Sequence, residues 1–336
     1  MIVQSFPNHF ELLPLMLIDI VVIIVGLAAL VWSADRFVTG AAAIANNLGV
    51  SPLLIGLTIV GFGTSAPEIL VSGVASFEGN PGLAIGNALG SNIANIALIL
   101  GLTALIAPLR VHSGVLRREY PILLGVSLIT FALMWDGTLD ELDGGILLVM
   151  LVLVLLWMVR TAKNGSADEP LAAEFDAEIP KEISTKMAIV WLVIGLVVLL
   201  ISSRMLVSGA TNIAVAFGIS DLVIGLTIVA LGTSLPELAA SISGSLKGED
   251  DIAIGNVIGS NIYNLLAVLA LPGLIAPGGF DSMVLMRDLP VMLGLTLLLY
   301  FVAHGFGSQG RINRSEGFIL TLCFVAYQTV LFFTYA

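Results

Sequence analysis

Glu68 and Glu237 are the residues that carry chemistry in this chain. Each follows a proline and ends the same kind of segment. The first reads Gly61-Phe62-Gly63-Thr64-Ser65-Ala66-Pro67-Glu68. The second reads Ala230-Leu231-Gly232-Thr233-Ser234-Leu235-Pro236-Glu237, 169 residues later. A proline inside a helix has no N–H to give the carbonyl four residues back, and its ring pushes that carbonyl away. Pro67 therefore frees the carbonyl of Gly63 and loosens that of Thr64; Pro236 does the same at Gly232 and Thr233. Hydroxyls, freed carbonyls and one carboxylate per segment are all hard oxygen donors, and neither segment contains His or Cys. Such a set suits Ca²⁺, Mg²⁺, Na⁺ or K⁺ and argues against Zn²⁺ or Cu⁺.

A second motif follows each carboxylate. Gly86-Asn87, Gly90-Ser91-Asn92 and Asn95 recur as Gly255-Asn256, Gly259-Ser260-Asn261 and Asn264. Ser91 and Asn95 are four apart and share one helix face, as do Ser260 and Asn264. The glycine pairs read as packing devices that let this helix approach a neighbour closely. Its polar face can then meet the broken helix.

Both motifs belong to a longer repeat. Residues 40–108 and 209–277 align without a gap and agree at about half of their positions, a fixed-period self-similarity. The chain is 58% hydrophobic and 11% charged, against about 25% charged in soluble domains, so it reads as an integral membrane protein. Met1 to Glu11 contains no Lys or Arg, and no cleaved signal peptide is expected. The net charge of −11 lies largely in loop acids such as Asp168, Glu169, Glu174, Asp176 and Glu178, and signals no nucleic-acid partner. Cys323 is the one cysteine, which excludes an internal disulfide.

Apolar runs place spans at 12–32, 38–77, 83–107, 115–135 and 144–159, then at 187–201, 207–246, 252–276, 283–303 and 317–335. The second run of each set is too long for one straight helix, and its Gly and Pro predict a break within the membrane. Asp19 and Asp35 fall near span ends and read as interfacial. The expected architecture is an all-α membrane protein of ten helices in two five-helix repeats, 1–160 and 187–336, joined by a polar linker at 161–186. An odd number of spans per repeat forces the second to enter from the opposite side. On this count only Arg204 and Arg287 fall on one side, and every other Lys and Arg falls on the other. The basic side is expected to be cytoplasmic, with both termini outside the cell membrane. Arg287-Asp288 with Pro290 repeats Arg118-Glu119 with Pro121, which accounts for an arginine where topology disfavours one.

The paired motifs resemble the two alpha-repeats of the sodium/calcium exchanger family, specifically its prokaryotic members. The resemblance covers nearly the whole chain. It implies an antiporter exchanging Na⁺ for Ca²⁺ by alternating access, with the bilayer as its surroundings and no enzymatic activity or resident cofactor. It also implies four cation sites at mid-membrane. Glu68 and Glu237 would be the central carboxylates, with the carbonyls of Thr64 and Thr233 joining them around Ca²⁺. Ser65, Ser91, Ser234, Ser260, Asn95, and the carbonyls of Gly61 and Ala230 would complete the Na⁺ sites. Asn264 occupies the position matching Asn95. Relatives often carry an aspartate at one of these two positions; two asparagines lean against potassium coupling. The resemblance further implies that the first and sixth spans, with matching Gly26 and Gly195, are the moving pair.

Independently of the resemblance, two ionised glutamates balance one Ca²⁺ or two Na⁺. Occupancy by one species at a time is the minimal basis of exchange. A Ca²⁺/H⁺ antiporter uses the same carboxylates, and a cation channel also lines its pore with broken helices and acids. A hydrolase using the two glutamates as acid and base lacks any supporting nucleophile or metal motif.

Overall fold

The computed structural model describes residues 9–49, 61–111, 119–164, 183–247, 250–304 and 310–335. Up to residue 164 it comprises α1 (His9–Asn47), α2 (Gly61–Thr64), α3 (Ala66–Phe77), α4 (Pro81–Ile93), α5 (Leu100–Ile106), α6 (Tyr120–Leu133) and α7 (Glu141–Asn164). From Thr185 onward it comprises α8 (Thr185–Phe217), α9 (Asp221–Ile224), α10 (Ala230–Thr233), α11 (Leu235–Lys247), α12 (Asp250–Tyr263), α13 (Ala270–Ile275), α14 (Leu289–His304) and α15 (Arg314–Tyr335). Wider π-helical turns join α4 to α5 (Ala94–Ile99), α9 to α10 (Gly225–Val229) and α12 to α13 (Asn264–Val268), and one precedes α14 (Val284–Asp288). Among the described residues seven helices are long and apolar enough to cross a membrane. There are eight if Asp221–Thr233 and Leu235–Leu246, bent by 42° at their break, count as one.

The first two spans of each set need correction. The predicted gap at residues 33–37 does not exist: α1 runs unbroken to Asn47. Likewise α8 runs through residues 202–206 to Phe217. The polar residues there do not break the helix because their hydroxyls turn back onto it. Ser33 donates to the Leu30 carbonyl at 3.1 Å and Ser203 to the Leu199 carbonyl at 2.7 Å. The real stops are Gly49 and Gly218, whose positive φ of 79° and 64° any other residue would resist. The long second runs thus contained the ends of α1 and α8. Asp35 accordingly lies inside α1, beside Arg36 at 3.6 Å, and the Arg36 guanidinium stacks over the Trp191 ring at 4.9 Å. Asp19 also lies within α1 and accepts a hydrogen bond from Asn212 of α8 at 2.8 Å.

The helices carrying the second motif are the enclosed ones. The apolar windows of Pro81–Ile106 and Ala253–Ile275 are each 78% buried, against 17–28% for the windows in α1, α7, α8 and α15. Leu89, Ile96, Leu100, Leu265, Leu266 and Leu269 form the centre of the main core. A second core, around Leu30, Val71, Leu83, Leu199 and Leu206, joins α1 and α8 to α3 and α4. The outer faces of α1, α7, α8 and α15 expose Ile, Leu, Val and Phe, as a lipid-facing surface requires.

Contacts recur when the halves are exchanged. A Cβ added at Gly195 of α8 would lie 2.5 Å from the Phe37 backbone nitrogen; one at Gly26 of α1 would lie 3.3 Å from that of Leu206. Gly40 faces Leu192 and Gly209 faces Ile23 in the same reciprocal way. Four two-residue strands repeat the pattern. β1 (Leu109–Arg110) pairs antiparallel with β4 (Arg311–Ile312), and β2 (Thr138–Leu139) with β3 (Gly278–Gly279). The buried Arg287 donates to Asp288 from Nε at 2.7 Å and Nη2 at 3.1 Å, and the Tyr327 hydroxyl donates to Asp288 at 2.8 Å. This fixes the lead-in to α14 against α15. Arg118 lies outside the described residues.

Candidate functional site

The two breaks fall where the prolines predict. α2 ends at Thr64 and α3 begins at Ala66; α10 ends at Thr233 and α11 begins at Leu235. The residues between them share one conformation, Ser65 at φ −86°, ψ 3° and Ser234 at φ −84°, ψ 8°. Pro67 and Pro236 then occupy the first turn of the new helix, where a missing N–H costs least. Glu68 and Glu237 follow directly and are fully enclosed by protein.

Each glutamate meets residues of both copies of the repeat. Ser234 Oγ donates to Glu68 Oε1 at 3.3 Å, and Ser260 Oγ donates to Glu237 Oε1 at 3.2 Å. Thr64 Oγ1 lies 3.4 Å from Ser260 Oγ. Of the predicted site residues, Thr64, Thr233, Ser234, Glu68, Glu237 and Ser260 are joined by these contacts and those of Asn87 and Asn256, Asn95 is held by Asn261 at 3.0 Å, and Ser65, Ser91 and Asn264 make no side-chain hydrogen bond among the described residues. All of these predicted residues are buried except Thr64, which is part-buried. Ala230 is also fully buried, and its carbonyl accepts from the Ser234 N–H at 3.1 Å and lies 3.4 Å from the Thr233 hydroxyl. Gly61 opens α2, and its side-chain environment lies outside the described residues.

Four asparagines that the sequence placed in the motif, without assigning a role, hold the site together. Asn87 Nδ2 donates to the Glu68 carbonyl at 3.2 Å, and Asn256 Nδ2 to the Glu237 carbonyl at 3.4 Å. Their oxygens face hydroxyls of the other copy: Thr233 Oγ1, 3.0 Å from the Val229 carbonyl, also lies within hydrogen-bond reach of Asn87 Oδ1 at 3.1 Å, and Thr64 Oγ1 lies 3.4 Å from Asn256 Oδ1. Asn92 and Asn261 each donate to the other's backbone carbonyl, at 3.3 and 3.5 Å. The recurrence of all four at the repeat spacing was the available signal. The close approach is glycine-made: a Cβ at Gly86 would lie 2.4 Å from the Leu222 carbonyl oxygen. The glycine pair of α4 is therefore a packing device, as its spacing implied, but the matching pair of α12 is not: a Cβ at Gly255 would meet nothing closer than 3.8 Å and one at Gly259 nothing within 4 Å.

Several buried oxygens have no hydrogen-bond partner among the described residues: Ser65 Oγ, Glu68 Oε2, Ser91 Oγ, Asn95 Oδ1, Glu237 Oε2 and Asn264 Oδ1. An enclosed oxygen without a donor costs stability unless a cation or water meets it. These six are hard donors from both copies of the repeat, drawn from one helix break, the two glutamates that follow the breaks, α4 and the π-helical turns. Asn95 lies within one π-helical turn and Asn264 begins another, with the Leu269 N–H donating to the Asn264 carbonyl at 2.9 Å; such turns collect at functional sites.

Residues 18–160 and 187–333 match the model of the family described as sodium/calcium exchanger protein. The chain belongs to the sodium/calcium exchanger family. Relatives of this exchanger-family chain cover it almost end to end. It is 52% identical over 317 residues to the putative antiporter CaxA of Alkalimonas amylolytica, spanning 94% of this chain and 99% of that one. It is 33% identical over 356 residues to the sodium/calcium exchanger MaX1 of Methanosarcina acetivorans, again over 94% and 99%. A solved structure of the sodium-calcium exchanger NCX_Mj, soaked with 100 mM Na⁺ and 10 mM Sr²⁺, superposes with a TM-score of 0.64. Its identity is 35%, over 93% of this chain and 97% of that one. The exchanger family is a transporter family, whose activity is antiport of ions across a membrane.

Proposed function

We propose that the protein is a secondary antiporter that exchanges Na⁺ for Ca²⁺ by alternating access, in the direction of Ca²⁺ efflux. The observation that carries this reading is the enclosed pair of carboxylates, Glu68 and Glu237, that follow two helix breaks, together with unpartnered neutral oxygens from both copies of the repeat. Two carboxylates compensate one Ca²⁺ or two Na⁺. The surrounding hydroxyl and amide oxygens serve only a metal ion, since a proton needs only the carboxylate. In this reading Glu68, Glu237 and the carbonyls of Thr64 and Thr233 take Ca²⁺. Ser65, Ser91, Ser234, Ser260, Asn95, Asn264 and the carbonyls of Gly61 and Ala230 serve Na⁺.

The reading includes ten spans in two inverted five-helix repeats, 1–160 and 187–336, with the linker 161–186 between them. The shorter apolar helices Ala66–Phe77, preceded by α2, and Tyr120–Asp136 supply the spans beyond those counted by length. The strand pairs support this count. β1 and β4 must share a side, as must β2 and β3. Ten spans put six crossings between the first pair and four between the second, both even. Placing the linker in the cytoplasm puts both termini outside. A cysteine at Ser166, in a Cys323→Ala background, is then expected to resist an impermeant thiol reagent in intact cells and to react after permeabilisation. Labelling of intact cells would invert the orientation.

The function is tested by ⁴⁵Ca²⁺ uptake into Na⁺-loaded proteoliposomes diluted into choline, at matched pH and clamped potential. Uptake is expected with no K⁺ present and is expected to collapse with the Na⁺ gradient. Uptake driven by a pH gradient and indifferent to Na⁺ would replace this reading with a Ca²⁺/H⁺ antiporter. Uptake that requires K⁺ alongside Ca²⁺ would overturn the inference from Asn95 and Asn264.

A further inference from the structure

Some hydrogen bonds of the site recur when the two copies are exchanged and others do not; three of those that do not recur bear directly on the carboxylates and the site amides. Asn92 and Asn261 donate from Nδ2 to each other's backbone carbonyl. A carbonyl only accepts, so these bonds fix which end of each amide is the nitrogen and leave each Oδ1 to accept from elsewhere. Asn261 Oδ1 accepts from Asn95 Nδ2 at 3.0 Å. The counterpart bond, from Asn264 Nδ2 to Asn92 Oδ1, is not made: both atoms are buried and unpartnered among the described residues. The carboxylates show the same imbalance. Ser234 bonds Glu68 while its counterpart Ser65 is unpartnered, and Ser260 bonds Glu237 while its counterpart Ser91 is unpartnered. Every side-chain atom required by the three missing bonds is therefore free: Ser65 Oγ, Ser91 Oγ, Asn92 Oδ1, Asn264 Nδ2 and the second oxygen of each glutamate.

We propose that Asn92 and Asn261 are positioning residues that hold the two site amides in turn. Asn261 holds Asn95 in the state seen here, and Asn92 holds Asn264 when the protein opens to the other side. This inference rests on the alternating-access reading above. An amide held through its nitrogen keeps its oxygen free for a cation, as Asn95 Oδ1 is here. The hold passes from one copy to the other without a net change in hydrogen bonds. Two states of similar free energy are what reversible exchange requires, because a ligand can then shift the balance with modest differential affinity. The backbone-directed bonds of Asn92 and Asn261 are common to both states and do not bias them.

The test is the sidedness of Ca²⁺ affinity. Asn261→Ala removes the hold on Asn95 and so penalises only the present state; Asn92→Ala penalises only the other. In uniformly oriented proteoliposomes, apparent Ca²⁺ constants on the two faces are measured by ⁴⁵Ca²⁺ exchange against unlabelled Ca²⁺ without Na⁺. Each single variant is expected to move the ratio of the two constants by about five- to tenfold, the equivalent of one net buried hydrogen bond. The two variants should move it in opposite directions, and the double variant should return it to the wild-type ratio. A purely structural role would weaken both faces alike. If both variants move the ratio the same way, or neither moves it, the proposal is overturned, while Na⁺-driven uptake by the wild type keeps the antiport reading intact. Asn→Ser substitutions at the two positions give the same comparison with the same outcomes should the alanine variants not assemble.

Discussion

Glu68→Gln and Glu237→Gln are each expected to abolish Ca²⁺ transport in a protein that still folds. Glutamine keeps the volume and one oxygen but removes one of the two charges that face the cation. Two unit charges 4 Å apart attract by about 4 kcal/mol at an effective dielectric constant of about 20, and Ca²⁺ carries two. Losing even that single-charge amount weakens Ca²⁺ by about a thousandfold. The neighbouring bonds from Ser234 to Glu68 and from Ser260 to Glu237 can be kept by an amide oxygen, so the fold is not the casualty. The measurement is ⁴⁵Ca²⁺ flux in proteoliposomes, alongside gel filtration and thermal unfolding of the same preparation. More than a few per cent of wild-type flux in a well-folded variant would remove that glutamate from the site.

A second large loss is expected at the crossing of α4 with the Asp221–Thr233 segment. A Cβ at Gly86 would lie 2.4 Å from the Leu222 carbonyl oxygen and 2.9 Å from the Leu226 nitrogen. One at Gly225 would lie 2.4 Å from the Leu83 carbonyl oxygen and 2.9 Å from the Asn87 nitrogen. Backbone meets backbone, so no side-chain rotation can relieve the clash. Gly86→Leu or Gly225→Leu must part the helices, beyond the 1–3 kcal/mol or so of ordinary overpacking. The parting opens the 3.1 Å contact across this crossing between Thr233 Oγ1 and Oδ1 of Asn87, the next residue after Gly86, and shifts the Asn87 amide that holds the Glu68 carbonyl at 3.2 Å. Transport is expected to fall at least about tenfold, with a lower unfolding temperature, since about 1.4 kcal/mol lost at the site already accounts for a factor of ten. The contrast is Gly125→Ala and Gly145→Ala, where an added Cβ meets nothing within 4 Å; both should behave as wild type. Equal damage at all four positions would refute the close-approach argument.

The site was more legible in the sequence than the helices around it. Proline leaves a mark that needs no tertiary context, so a break near Pro67 and near Pro236 was legible, and the structure puts it at Ser65 and Ser234. Duplication then distinguished Glu68 and Glu237 from incidental polar residues. The ends of α1 and α8 were misread because polar stretches such as Ser202-Ser203-Arg204 look like interruptions. Their hydroxyls instead bond the preceding turn. Gly49 and Gly218 carried the true signal, but a glycine shows its positive φ only once folded. The π-helical turns left no mark either: the residues before and after Ala94–Ile99 have ordinary α dihedrals, and only the hydrogen-bond register differs. The role of Asn87 and Asn256 depends on which oxygen lies opposite each amide, and that is a property of the assembled halves.

The pairing of Asn92 with Asn261 has a consequence for biosynthesis. The two asparagines are 169 residues apart. At about 5–20 residues per second, the ribosome delivers the second some 8–34 seconds after the first. Throughout that interval Glu68, Asn87 and Asn92 stand without Ser234, Thr233 and Asn261, their later partners. A half-made chain thus reaches the lipid with a polar seam open along α3 and α4. The nascent protein depends on water or on the insertion machinery to shelter that seam, and truncation before α12 would leave it permanently exposed to membrane quality control.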